Sequence, residues 1–152
     1  MASGWYTQGL LKIADGTIDL DTSVVKVMLV KAAYTFDKSH SQVSTISAHE
    51  IVATNYTGGF NGAGRKTVSI TMQKNDGAGR LDIAIGDVTY TALGGAVNDT
   101  PAAVVVIFET GGADSSSIPI AYLDHDNTPT NGGNITLDMA TLGAGGNLQI
   151  AA

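Results

Sequence analysis

Short β-branched and apolar runs alternate with glycine along the whole of this chain, and that rhythm constrains its fold more than any other feature. Nineteen glycines fall mostly between the runs, the pattern of strands joined by turns. Val24-Val25-Lys26-Val27-Met28-Leu29-Val30 is too β-branched for a comfortable helix and reads as a central strand. Residues 102–108 are continuously apolar, as expected of a strand covered on both faces. Residues 65–72 alternate, with Val68, Ile70 and Met72 on one face. Asn75-Asp76-Gly77 then signals a turn, and Leu81, Ile83 and Ile85 complete a hairpin. Val88 with Tyr90, residues 118–123, residues 135–139 and residues 148–150 supply further short strands, with Pro119 near an edge or a strand start.

Two segments break the rhythm. Trp5, Leu10, Leu11 and Ile13 fit a short helix closed by Asp15-Gly16, with Gly16 as a left-handed C-cap. A long polar excursion covers residues 34–64, and within it Ser47 and Glu50 have capping-box spacing. Nothing repeats at a fixed period and no linker divides the chain. The expected fold is mainly β: one domain over residues 1–152, an antiparallel β-sandwich or jelly-roll-like domain with one or two short helices.

Composition narrows the function classes. The 152 residues are 43% hydrophobic, enough for a proper core, but only 14% are charged, well below the usual quarter or so. The formal net charge is −6, and Arg65-Lys66 is the one basic pair. Nucleic-acid binding needs clustered cations to displace counterions from phosphates; direct nucleic-acid contact is not expected, nor is an anionic membrane surface. No run approaches the roughly 20 apolar residues of a membrane-spanning helix, and the N-terminus does not read as a secretory signal. The three N-x-T matches at Asn55, Asn98 and Asn134 therefore carry no weight. The absence of cysteine excludes disulfides, thiolate zinc sites and cysteine nucleophiles.

Catalytic constellations fail one by one. Gly58-Gly59-Phe60-Asn61-Gly62-Ala63-Gly64-Arg65-Lys66-Thr67 looks like a phosphate loop, but Arg65 stands where a Walker motif needs glycine, and a strand follows instead of a helix. It reads as a mobile glycine loop. Asp124-His125-Asp126 suggests a metal or acid–base cluster, yet no loop with calcium-ligand spacing follows, and a solvated turn explains it more simply. Asp15, Asp19 and Asp21 read as the rim of a glycine turn. His40 and His49 lack zinc spacing, no Gly-x-Ser-x-Gly is present, and only two glutamates exist for glycosidase-type pairs. No catalytic residue, metal ligand or cofactor is assigned, and the expectation is a non-enzyme that packs against protein surfaces.

Several motifs resemble a known group. They are Gly4-Trp5-Tyr6-Thr7-Gln8-Gly9-Leu10-Leu11-Lys12-Ile13, Asp15-Gly16-Thr17-Ile18-Asp19-Leu20-Asp21-Thr22 and Tyr34-Thr35-Phe36-Asp37. Gly64-Arg65-Lys66-Thr67, Asp87-Val88-Thr89-Tyr90-Thr91-Ala92-Leu93 and Ile120-Ala121-Tyr122-Leu123-Asp124 continue the series. Taken together, they resemble small tailed-bacteriophage virion structural proteins across nearly the whole chain, although residues 141–146 are richer in glycine and alanine than that pattern. The resemblance implies a capsid cement or decoration protein on the phage head, made in the bacterial host cytoplasm, with the major capsid protein and a homotrimer of itself as partners. It brings no catalytic residues. A tail, collar or fibre-associated protein is one alternative; a carbohydrate-binding β-module with Trp5 and Tyr6 as its platform is another. Aromatic anchors are favoured at interface centres, so the candidate contact residues are Trp5, Tyr6, Tyr34, Phe36, Tyr56 and Phe60.

Overall fold

The computed structural model describes residues 3–139 and 148–151; the glycine-rich residues 141–146 lie outside them. The fold is mainly β and antiparallel, with one short α-helix, in a sandwich-like arrangement. Its frame is a five-stranded sheet in the order β1 (Gly4–Trp5), β8 (Ile118–Asp124), β7 (Pro101–Phe108), β2 (Lys26–Lys31), β3 (Lys66–Thr67). A three-stranded sheet, β10 (Leu148–Ala151), β5 (Arg80–Ile85), β4 (Ile70–Asn75), and a pair, β6 (Val88–Leu93) with β9 (Gly133–Leu137), complete the strands of the described residues.

The apolar runs become central strands because both faces of the large sheet are covered. Successive side chains of a strand point to opposite faces. Val27 and Leu29 of β2, with Val104 and Val106 of β7, enter a core shared with Ile83, Ile85, Val88, Tyr90, Leu137 and Leu148 of the smaller sheets. Their neighbours Met28, Val30, Ala103, Val105 and Ile107 enter a second core, roofed by Tyr6, Tyr34, Val43 and Ile46. The polar excursion is therefore one layer of the fold. It contains two short 3₁₀ turns, Val43–Thr45 and Ser47–His49.

The expected N-terminal helix is present as α1 (Thr7–Ala14), with Gly16 at φ +79° beyond its end, but Trp5 lies before it, paired with Ala121 in β1. Alternation over residues 65–72 misses a change of sheet: β3 pairs with β2, whereas β4 pairs with β5, so the segment belongs to two sheets. Val68 and Ile70 pack against the core, whereas Met72 is exposed. Ser47 caps nothing; its hydroxyl donates to the Ser44 carbonyl, and Glu50 is used elsewhere. Pro119 sits beside a bulge where β7 pairing passes from Ala121 to Pro119. The skipped Ile120 turns its carbonyl to the Tyr6 N–H at 3.0 Å, consistent with the confinement of proline to strand starts and irregularities. Among the described residues no helix is long and apolar enough to cross a membrane.

Helix α1 rests directly on β8. A Cβ at Gly9 would lie 2.6 Å from the Ile120 Cα and 2.8 Å from the Pro119 carbonyl oxygen. Backbone cannot yield there as a flexible side chain can, so Gly9→Ala is expected to destabilise the fold by about 1–3 kcal/mol through overpacking. The urea midpoint of the purified variant against the parent chain measures this.

Candidate functional site

The residues with the most developed polar chemistry surround Arg65. Chain geometry brings them together from two connections, the one between β2 and β3, which holds Glu50 and Arg65, and the one between β7 and β8, which holds Glu109 and Asp114. After the second 3₁₀ turn, Glu50 forms a β-bridge with Val30, and the Ile51 N–H donates to the Leu29 carbonyl. A tight turn with Asn55 at φ +65° reverses the chain, so that Tyr56 faces Ala53. The Tyr56 hydroxyl accepts from the Leu29 N–H at 3.0 Å and donates to Glu50 Oε1 at 2.8 Å. Glu109 follows β7, and Asp114 lies in the connection to β8.

All five guanidinium N–H groups of Arg65 have a carboxylate acceptor. Nε and one terminal nitrogen bind Glu50 as a fork, at 2.9 and 2.7 Å. The two terminal nitrogens bind Asp114, at 2.5 and 3.0 Å, and one of them also reaches Glu109 at 3.1 Å. Lys26 closes the far side of Glu109. The Arg65 side chain is fully buried. Burial alone would lower its pKa, but the hydrogen bonds to Glu50 and Asp114 outweigh that and hold it firmly cationic. Two cations thus meet three carboxylates.

The glycine-rich stretch that mimics a phosphate loop is packed around this cluster. A Cβ at Gly64 would lie 2.7 Å from the Tyr56 ring, and one at Gly62 would lie 2.2 Å from the Thr57 carbonyl oxygen. The reading of a mobile glycine loop is corrected: close approach of backbone to an aromatic ring and to backbone carbonyls requires these glycines.

The candidate contact aromatics divide sharply. Tyr6, Tyr34 and Tyr56 are buried, so they are not available as surface anchors. Each is an apolar body whose hydroxyl is satisfied inside: the Tyr6 and Tyr34 hydroxyls meet at 2.8 Å, and the Tyr34 hydroxyl meets His40 Nδ1 at 2.9 Å. Phe36 stacks on Tyr122 and meets Tyr6 edge-on, with centroids 5.0 and 5.1 Å away. Trp5 is partly buried and donates its indole N–H to the Gln149 carbonyl at 2.9 Å, tying the first strand to the last. Phe60 is partly exposed. Trp5 and Tyr6 do not form an exposed platform. Among the described residues, no three His, Cys, Asp or Glu side chains converge to hold a metal ion.

What the surface does offer is aliphatic. Val52 is 64% exposed and Val97 50%, and their loops are bonded together. The Thr54 N–H donates to the Val97 carbonyl and the Val97 N–H to the Thr54 hydroxyl, each at 2.9 Å. Asp99 accepts from the Val52 N–H and pairs with Lys31 at 3.1 Å. Isolated valines in loops carry no periodic signal, so neither was singled out from the sequence. Comparison with family models, curated proteins and solved structures gives no match.

Two outcomes follow. Arg65→Ala leaves Glu50, Glu109 and Asp114 close together without their shared cation, and should cost about 3–5 kcal/mol in urea unfolding; Arg65→Lys, with three donors instead of five, should recover part of that. For Asp99, burial raises the carboxyl pKa, but the N–H groups of Val52 and Thr100 and the Lys31 ammonium outweigh it, leaving the group below its ordinary value. A depressed folded-state pKa contributes stability above the unfolded value of about 3.9, and that contribution is lost as pH falls through the folded value. The gap in urea midpoint between the parent and Asp99→Asn should therefore narrow on acidification from neutral pH to below that range.

Proposed function

We propose that this chain is a structural protein of a tailed-bacteriophage particle, a cement protein that binds the head lattice through protein–protein contacts. The observation that carries the reading is the exposure of Val52 and Val97 on two loops that are bonded to each other. Two aliphatic side chains are held in solvent by loops whose polar groups are largely bonded to one another. Burying a valine is worth about 1.5–3 kcal/mol, so the pair suits docking onto an apolar surface with little loss of loop entropy. Repetition of such modest contacts by lattice symmetry multiplies into strong attachment. The motif resemblance across the chain and its low charge content point the same way, while the interior placement of Tyr6 weighs against a sugar platform.

Cryo-electron microscopy of virions from the phage that encodes the chain tests the assignment: many copies on the head are expected, and copies confined to the tail would overturn it. Purified Val52→Asp/Val97→Asp protein should keep its unfolding free energy, measured in urea, within about 0.5 kcal/mol of the parent, because the sites are exposed. It should lose at least tenfold in affinity for heads stripped of the native protein, as measured by co-sedimentation.

A further inference from the structure

One part of the Arg65 cluster goes beyond ion pairing. The Lys26 Nζ lies 2.5 Å from Glu109 Oε2 and 3.3 Å from the carboxamide oxygen of Asn61. The other oxygen of Glu109 accepts the Asn61 backbone N–H at 3.0 Å. A single carboxylate therefore touches both a lysine amine and the residue that presents a carboxamide to it. The Lys26 and Glu109 side chains are only 17% and 5% exposed, which limits competition from water. Asn61 is held at φ +57°, and its neighbour Gly62 is packed against the Thr57 carbonyl, so the carboxamide is presented from a fixed loop. Lysine, carboxamide and a proton-carrying carboxylate are the parts needed for amide exchange.

We propose that Lys26 and Asn61 become joined by an isopeptide bond, with Glu109 as the proton carrier. Glu109 takes one proton from the Lys26 ammonium, and the freed amine attacks the Asn61 side-chain carbonyl carbon to form the new N–C bond. Glu109 passes a proton from the attacking nitrogen to the carboxamide nitrogen. The old C–N bond breaks, the carbonyl re-forms, and ammonia departs, leaving with the remaining proton as ammonium. Glu109 ends as a carboxylate, still bonded to Arg65 and the Asn61 N–H. The exchange consumes no oxidant, reductant or second substrate. The product staples β2 to the loop that closes over Arg65.

Mass spectrometry of the purified full-length chain, with no reagent added, decides the matter. The expected intact mass is lower than the sequence mass by one ammonia, and digestion should yield a branched peptide joining Lys26 to Asn61. A full sequence mass would overturn the proposal. So would an ammonia deficit that maps to a linear peptide, because attack of the Gly62 nitrogen on Asn61 gives a succinimide of the same mass. Lys26→Arg keeps a cation beside Glu109 and should restore the full mass. Glu109→Gln, with its fold checked by circular dichroism, should restore it too; a branched peptide in that folded variant would overturn the role given to Glu109.

Discussion

The fold turns on one buried guanidinium. Arg65 has no contact with water, yet it carries a charge whose transfer into a low-dielectric interior is compensated only if every donor finds an anionic partner. Five donors find three carboxylates, one from the polar excursion and two from the connection between β7 and β8. Moving any of these loops would strand a charge. A buried pair of this kind is weak evidence for net stability, since apolar side chains of similar volume often do as well. Its consequence is selectivity: one arrangement of the loops satisfies the cluster, and its alternatives leave a buried ion alone.

That selectivity matters because the large sheet needs covering on both faces. Its strands β2 and β7 carry apolar side chains in both directions. The smaller sheets cover one side with regular structure. The other side is covered by a segment with little regular structure, residues 34–46, together with the Tyr6 region. A roof without its own hydrogen-bonded lattice has to be held by side chains. The Tyr6–Tyr34–His40 hydroxyl chain and the Phe36–Tyr122 stack hold it from within, and Glu50 on Arg65 holds its end. The same economy explains why so many aromatics of this chain are interior: with few charged groups available, they supply both apolar area and polar handles.

Much of the fold could be read from local pattern. The continuous apolar runs marked β2, β7 and β8, the Asp15-Gly16 pair marked the end of α1, and Asn75-Asp76-Gly77 marked the β4–β5 hairpin. Each is a short-range effect of backbone sterics and side-chain alternation. The failures have a common cause. Residues 65–72 alternate smoothly while the chain changes sheets, because alternation reports which side a residue faces and not which strand it pairs with. Ser47 and Glu50 have capping-box spacing, but Arg65 offers Glu50 a stronger partner fifteen residues away. The sorting of side chains between interior and surface was the least legible part. Large aromatics have a high prior both as core and as interface residues, and Val52 and Val97 look like any other loop valines until their neighbours are in place.

By itself, the sequence determined that the fold is mainly β and antiparallel with a short N-terminal helix, and that clustered-cation and cysteine chemistry are not open to these residues. Those conclusions follow from periodicity and composition, which act locally or on the chain as a whole. Tertiary structure decided which face each aromatic occupies, that the phosphate-loop mimic is a tightly packed cradle, and that both glutamates of the chain converge on one arginine. These are contacts between residues far apart in sequence. Their energies depend on burial and on completing a set of partners, and neither is defined until the chain has closed around them.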